Sequence, residues 1–265
     1  MFIKTEGVYL GRGVVIWLYD VYASRYDNIK NFSLIHEAAF LSRPLVRATQ
    51  AARPPLVLDV ATGTARLPLT LFDAPDFHGQ VIGVDLSRRM LNMAAEKMLP
   101  ELQEGRLYLL HAPAEHLPFK DASFDLVTCL EALEFTTEPR AVIAELIRVL
   151  RPGGILLLSN RQGHDVKYMP GKIMTHTDFQ AMLEGDFRLV DVRIQDDWQQ
   201  DYALVWAFKA GQAPIAGIRP LEDYWRCPHC HQVTLQPTDS GWQCQTCGRT
   251  LPIAEDGVIE GVKGG

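Results

Sequence analysis

The most constraining feature of the chain is a pair of apolar runs that each carry an acidic residue. The first, LDVATGTA at positions 58–65, contains Asp59 and leads into a turn of small residues. The second, VIGVDLS at positions 81–87, carries Asp85 close to its end. Short apolar runs bounded by turns are typical of buried strands, and ligands bind beyond the carboxyl ends of parallel strands. The pair predicts an α/β fold with a ligand site at one edge of a parallel sheet.

The spacing of the first turn distinguishes two kinds of nucleotide-containing ligand. A dinucleotide-binding turn reads G-x-G-x-x-G, whereas this turn has Ala61, Gly63 and Ala65 at alternate positions. Asp59 also stands just before the turn, where a carboxylate opposes a pyrophosphate but attracts a ligand with ammonium and sulfonium groups. Asp85 is placed to accept hydrogen bonds from ribose hydroxyls.

The remaining pattern predicts a doubly wound, mostly parallel sheet of seven strands, because strand and helix signals alternate along the chain. Two β-rich runs near the end of this region suit an antiparallel hairpin that closes the sheet. The expected strands are 56–61, 80–85, 106–111, 123–130, 153–160, 187–196 and 201–209, and the expected helices are 65–73, 87–99, 138–150 and 175–184.

Three further segments, HAPAEHLPF at 111–119, SFDLVTC at 123–129 and VLRPGG at 149–154, follow the first two in order. With all five, the chain resembles the class I S-adenosylmethionine-dependent methyltransferases over roughly residues 15 to 210. The resemblance implies a Rossmann-like fold, S-adenosylmethionine as cofactor, and methyltransferase activity. A departure from the family is Ala65, where many relatives have glycine and where a methyl group would limit approach to the methionine part of the cofactor. The cofactor-binding residues implied are Asp59, Ala61, Gly63, Asp85, Leu86, Ala114 and Glu115.

The N-terminal segment 17–27 resembles the helix that covers the cofactor in methyltransferases of the quinone-biosynthesis type. On that resemblance, Tyr19 and Tyr26 close over the ligand. Plain packing of the aromatic side chains is an equally good explanation of this spacing, so both interpretations stay open.

Two C-x-x-C pairs, Cys227 with Cys230 and Cys244 with Cys247, are separated by thirteen residues. Two such pairs in a cytosolic chain predict a tetrahedral zinc site, and a reducing cytosol disfavours the alternative of disulfides. Four thiolate ligands leave no open coordination position, so this zinc is expected to be structural.

The C-terminal tail as a whole resembles the small zinc-ribbon proteins that activate methyltransferases of tRNA, rRNA and release factors. The expected organisation is a methyltransferase domain over 1–210, a linker over 211–225 that is rich in glycine and proline, and a zinc ribbon over 226–265.

The sequence assigns no catalytic residue. Glu131 and Glu134 follow the fourth strand and either orient an acceptor or lie on a helix face. His164 and His176 lie in or beside the insertion after the fifth strand, where exposed loop histidines are the commoner explanation. Cys129 lacks the Pro-Cys context of a nucleophile that methylates pyrimidines, so a buried free thiol is expected.

Charge and composition bear on the partners. The net charge is −6 and no long basic run is present, which argues against a general RNA-binding protein. A small or medium-sized organic acceptor is therefore the leading hypothesis. A methyltransferase of RNA or of a translation protein, guided by the ribbon, and a non-catalytic cofactor-binding scaffold are the alternatives. We expect a cytoplasmic protein without a signal peptide or a membrane span, and the sequence does not indicate the oligomeric state.

Overall fold

The structure is a computed structural model of the 265-residue chain. It describes residues 13–14, 17, 19–21, 23, 33–49, 53–169, 171–214, 217–233 and 235–261. Tyr26, predicted to cover the cofactor, lies outside the described residues.

A mixed sheet of eight strands forms the centre of the molecule. The strands are β1 (Leu56–Val60), β2 (Gln80–Asp85), β3 (Leu107–His111), β4 (Phe124–Cys129), β5 (Leu150–Arg161), β6 (Leu189–Gln195), β7 (Tyr202–Lys209) and, near the C-terminus, β11 (Ile259–Glu260). Their order in the sheet is β11-β3-β2-β1-β4-β5-β7-β6. The neighbouring strands from β11 to β5 pair in parallel, whereas β7 is antiparallel to both β5 and β6. The central strands β1 and β4 are buried along their whole length, as expected for strands covered on both faces.

A helix lies close to each of the four predicted positions, and the helices before β1 were not predicted. Ser87 caps the helix after β2, because its hydroxyl accepts a hydrogen bond from the amide of Met90. None of the described helices has both the length and the apolar character needed to span a membrane. They are α1 (Leu34–Glu37), continued by a π-helical segment (Ala38–Ser42), α2 (Arg43–Thr49), α3 (Arg66–Phe72), α4 (Arg88–Lys97), α5 (Leu99–Gln103), α6 (Pro139–Val149) and α7 (His176–Gly185), with 3₁₀ turns at Leu133–Phe135, His164–Tyr168 and Leu221–Asp223.

The prediction of a seven-stranded sheet is wrong by one strand. A C-terminal strand, β11 (Ile259–Glu260), pairs in parallel with β3 and brings the number to eight. Without it, β3 would present an unpaired edge, which sheets commonly cover. A two-residue strand is too short to leave a periodic signal in the sequence.

The start of β5 also differs from the prediction. The sequence predicts the fifth strand over 153–160, yet β5 begins at Leu150. Phe124 pairs with Leu150 and Leu126 with Ile155, so residues 151–154 bulge out of the ladder. Gly153 has a φ of 71° within this bulge, a conformation that glycine adopts at little cost.

The tail after the main sheet packs into the same hydrophobic core. A separate antiparallel sheet consists of β8 (Leu235–Thr238), β9 (Gly241–Cys244) and β10 (Thr250–Pro252). Ahead of it, the fully buried Trp225 stacks on Phe119 with ring centroids 5.2 Å apart. The domain boundaries at residues 210 and 225 stay a prediction.

Candidate cofactor site and cysteine cluster

A cavity of about 140 Å³ lies at the carboxyl ends of β1 to β4. Its position is the one that the two acid-bearing runs predicted, since parallel strands that end together bring their following loops to one edge. The walls include six of the predicted cofactor-binding residues, namely Ala61, Gly63, Asp85, Leu86, Ala114 and Glu115. Asp59 instead lines a smaller neighbouring cavity of about 40 Å³.

The turn after β1 has three residues with left-handed backbone conformation. The φ angles are 59° at Ala61, 56° at Gly63 and 62° at Ala65. This conformation costs an alanine about 1–2 kcal/mol, so the surrounding structure must compensate for the strain. The methyl group of Ala65 is fully buried in the core and does not line the cavity. Its expected interference with the cofactor is therefore absent from the cavity wall.

Asp85 lines the cavity with its carboxylate held by backbone amides. One oxygen accepts a hydrogen bond from the amide of Gly63 and the other from that of Ser87, both at 2.8 Å. Burial raises the pKa of Asp85, and the hydrogen bonds from these amides act in the opposite direction. The amides and the carboxylate thus fix each other's orientation at the edge of the cavity.

Asp59 lies behind the turn and makes hydrogen bonds with two hydroxyl groups. Its oxygens accept from Thr128 at 2.6 Å and from Thr62 at 2.7 Å. Burial raises the pKa of Asp59 to about 6, although both hydroxyl groups lower it. Asp59 therefore supports the turn through Thr62 and does not itself line the main cavity.

A buried ion network borders both cavities. The guanidinium of Arg66 donates to Glu37 and to Glu131, each at 2.6 Å, and Gln199 donates to Glu131 at 2.8 Å. Burial by itself lowers the pKa of Arg66, but the two acids outweigh it and raise the pKa. Glu131 has a φ of 54° and lines both cavities.

The alternative that Glu131 lies on a helix face is wrong, since Glu131 stands in a bend after β4 and its carboxylate is buried against Arg66. The network also contains two residues that were not predicted from the sequence. Arg66 and Glu37 were missed, since they lie 65 and 29 residues from their partners Glu131 and Arg66. Separations of this size leave no local pattern.

The two cavities hold more acidic than basic side chains. Four acids, Asp59, Asp85, Glu115 and Glu131, line them, and the single basic lining residue within the described part of the chain is Arg66. Such a surplus of negative charge favours a ligand with cationic groups and disfavours a pyrophosphate. The residues present therefore fit S-adenosylmethionine better than a dinucleotide.

The wall opposite the first turn is largely apolar and aromatic. Tyr19 meets Phe135 edge to face, with ring centroids 5.8 Å apart. Next to Tyr19, Asp20 accepts a hydrogen bond of 2.5 Å from the hydroxyl of Ser87. These contacts place Tyr19 and Asp20 beside the cavity, and the closing of Tyr19 over a ligand stays a prediction. The other residues of this wall are Leu130, Ala132, Thr136 and Thr137.

The remaining candidates lie away from the cavity. Glu134 is buried, and the hydroxyl of Tyr202 donates to it at 2.5 Å. His164 is exposed and His176 is half-buried, and neither lines the cavity. Cys129 is buried, which raises the pKa of its thiol and leaves it a poor nucleophile.

The four C-terminal cysteines form one cluster. Their Sγ atoms all lie within 4.8 Å of one another. The sulfur of Cys227 is 3.7 Å from that of Cys247, and the sulfur of Cys230 is 3.5 Å from that of Cys244. Tetrahedral zinc with bonds of about 2.3 Å separates its sulfur ligands by about 3.8 Å. The arrangement is thus compatible with a zinc site.

The order of the parallel strands and the cavity at their carboxyl ends are those of a Rossmann-like methyltransferase fold. Residues 58–158 match the family model described as "Methyltransferase domain". The chain is similar to the demethylmenaquinone methyltransferase of Lactiplantibacillus plantarum, with 32% identity over 140 residues, which are 53% of this chain and 59% of that enzyme. The chain thus spans about three fifths of the length of this relative.

Solved structures share the fold. A S-adenosylmethionine-dependent methyltransferase from Aquifex aeolicus matches 71% of this chain and 97% of its own, with a TM-score of 0.55 and 20% identity. A chain in the complex of a Haloferax volcanii methyltransferase activator with a methyltransferase matches 73% of this chain and 98% of its own, with a TM-score of 0.55 and 18% identity. These matches show that the chain shares the Rossmann-like methyltransferase fold, and the family model adds a methyltransferase-domain match over residues 58–158.

Proposed function

We propose that the protein transfers a methyl group from S-adenosylmethionine to a small or medium-sized organic acceptor. The observation that carries the proposal is the cavity itself, which has acidic groups around the first turn and an aromatic wall opposite. When bound, S-adenosylmethionine supplies an electrophilic methyl group on a good leaving group. The protein then has to bind the cofactor, orient the acceptor and exclude water.

The cofactor-binding roles follow from the positions of the side chains. Asp85, beside Leu86, would accept hydrogen bonds from the ribose hydroxyls, because its carboxylate is at the cavity edge. Ala114 and Glu115 would flank the adenine. Gly63 and Ala61 would leave room for the methionine part, and Asp59 and Glu131 would favour its positive charges.

The acceptor subsite is expected on the side of Tyr19 and Phe135. Both rings offer apolar surface, and Thr136 and Thr137 line the same cavity. No lysine or arginine side chain lines the 140 Å³ cavity in the described part of the chain, so nothing there neutralises a phosphate. An uncharged acceptor therefore fits better than RNA. The quinone precursor in the name of the L. plantarum relative is an acceptor of this general kind.

We further infer that the cysteine cluster binds a structural zinc ion, as its sulfur separations suit tetrahedral coordination. The four thiolates would complete the coordination and stabilise the turns around β9. Zinc would thus support the C-terminal ribbon, and it would have no part in methyl transfer.

A methyltransferase of RNA or of a translation protein is the second candidate. It is favoured by the cysteine ribbon and by the fold shared with a chain crystallised in a methyltransferase–activator complex. A non-catalytic scaffold is the third, because one fold hosts unrelated functions. The cytoplasmic location and the domain boundaries remain predictions, and no oligomeric state is proposed.

A methyl-transfer assay separates the three candidates. The protein is incubated with methyl-labelled S-adenosylmethionine and with the RNA, protein and metabolite fractions of a cell extract. We expect label in the metabolite fraction, retained by the exposed-acid control Asp76→Ala and reduced with Asp85→Ala at a limiting concentration of the cofactor. Label in RNA or protein would support the second candidate. Cofactor binding without transfer to any fraction would support the scaffold.

A further inference from the structure

The side chain of Glu260 connects the C-terminal strand to the loop of the candidate cofactor site. Glu260 is paired with His111 in the β11–β3 ladder, and its Oε2 atom lies 2.9 Å from Nδ1 of that histidine. The other ring nitrogen, Nε2, lies 3.0 Å from the carbonyl oxygen of Leu86. His111 therefore bridges the tail and a residue that lines the cavity.

The hydrogen bonds that His111 can make depend on how many of its ring nitrogens carry a proton. Both ring nitrogens face oxygen acceptors, a carboxylate on one side and a backbone carbonyl on the other. A neutral imidazole has one N–H group and can satisfy one of them, whereas the protonated ring donates to both. The side chain is 15% exposed, so water cannot freely replace a missing donor.

The charges around His111 come from three elements. On the tail, Glu260 accepts a second hydrogen bond, of 2.5 Å, from Nε of Arg88 in α4. The same guanidinium makes two hydrogen bonds with Asp256, at 2.9 and 2.8 Å. On β2, Asp85 interacts electrostatically with His111, and this interaction acts against the burial that raises the pKa of the Asp85 carboxyl group. Three acids, one arginine and the imidazole ring thus lie together at this edge of the sheet.

The geometry points to His111 as a positioning residue of the cofactor site. We propose that its protonated ring, held by Glu260, fixes the Leu86 carbonyl and so orients the loop from Asp85 to Ser87 around the cofactor. This inference rests on the proposed cofactor role of the cavity. It predicts that cofactor affinity depends on a proton at a residue that does not itself line the cavity.

The expected pH dependence has a definite sign. Raising the pH removes the proton from His111 and one of its two hydrogen bonds, so cofactor affinity should fall. Ionisation of Asp59, whose pKa is about 6, acts in the opposite direction, because a carboxylate attracts the cationic part of the ligand. The contribution of His111 is therefore measured as the difference between wild type and a variant.

The test is a calorimetric titration of S-adenosylhomocysteine into the full chain from about pH 5.5 to about pH 8.5. The variants are His111→Asn and Glu260→Gln, with His116→Asn as the control, since His116 is an exposed histidine on the same segment that does not line the cavity. We expect His111→Asn to weaken binding about 10-fold at the acidic end and less than about 3-fold at the basic end. His116→Asn should match wild type throughout. A constant ratio between His111→Asn and wild type would overturn the proposal.

A second measurement tests the proposal even if a variant folds poorly or the wild-type protein binds no cofactor. In the ¹⁵N NMR spectrum of the wild type at about pH 6, both ring nitrogens of His111 should have imidazolium shifts. A neutral tautomer at that pH would also overturn the proposal. If the wild type binds no S-adenosylhomocysteine at any pH while the imidazolium is observed, the proposed function fails and the bridge itself stands.

Discussion

Two buried carboxyl groups at the ends of β1 and β2 differ in their partners. Asp85 receives hydrogen bonds from backbone amides and faces the cavity, whereas Asp59 receives them from Thr62 and Thr128 behind the turn. The acid at each position follows from the sequence pattern. The hydroxyl partner at position 128 does not, because it is 69 residues away from Asp59.

The substitution Asp59→Asn should flatten the pH dependence of the free energy of unfolding. Burial raises the pKa of Asp59 from 3.8 to about 6, so the folded state binds this proton more tightly than the unfolded state does. The contribution of Asp59 is present below the unfolded pKa and is lost as pH rises through the folded pKa. The full difference is about 3 kcal/mol.

Urea unfolding at several pH values between about 4 and 7 checks this prediction. As pH rises across this range, the free energy of unfolding of the wild type should fall relative to that of Asp59→Asn. The exposed-acid variant Asp76→Asn serves as the control and should run parallel to wild type. If Asp59→Asn also runs parallel, Asp59 does not titrate in this window.

The strands β1 to β7 and the helices between them were largely predictable from the sequence, whereas the C-terminal strand β11 was not. The predicted strand 80–85 and the observed β2 coincide, and predicted helix 138–150 differs from α6 by one residue at each end. These elements have periodic apolar patterns and clear turn residues. By contrast, β11 consists of two residues, and its pairing with β3 depends on how the whole tail folds back.

The packing of the tail predicts a large cost for Trp225→Ala. Trp225 is 1% exposed and lies between Phe119 and Trp242, with ring centroids 5.2 and 5.8 Å away. Removing a buried aromatic side chain costs about 3–5 kcal/mol. The control Trp17→Ala, at a side chain that is 61% exposed, should change stability by less than about 0.5 kcal/mol. Equal effects of both variants in denaturant unfolding would contradict the packing argument.

At the level of the ribbon, Cys244→Ser should release zinc and unfold the small sheet, because metal binding and folding of such sites are coupled. The main sheet should remain folded but lose stability, since the tail shares its core. Metal analysis and circular dichroism check both parts. Cys129→Ala, at the cysteine outside the cluster, should retain the metal. Full zinc retention by Cys244→Ser would rule out this site.

The whole molecule combines a Rossmann-like sheet with a cysteine cluster whose following strand joins that sheet. Five ordered segments that resemble those of methyltransferases were enough to predict the fold of the main sheet. The joining of the tail to β3 and the link from Glu260 through His111 to the cavity were not predictable, because they depend on contacts across 149 residues. Cofactor binding is thus the property that the proposed roles of the cavity and of the Glu260–His111 link have in common.

The most direct test is a calorimetric titration of S-adenosylmethionine and S-adenosylhomocysteine into the zinc-replete protein. We predict that both bind with micromolar affinity and that Asp85→Ala weakens binding by about 1–3 kcal/mol, through loss of charge-assisted hydrogen bonds to the ribose. Asp76→Ala should bind as the wild type does. Absence of binding in a folded, zinc-replete sample, or unchanged affinity in Asp85→Ala, would contradict the assignment of the cavity as the cofactor site.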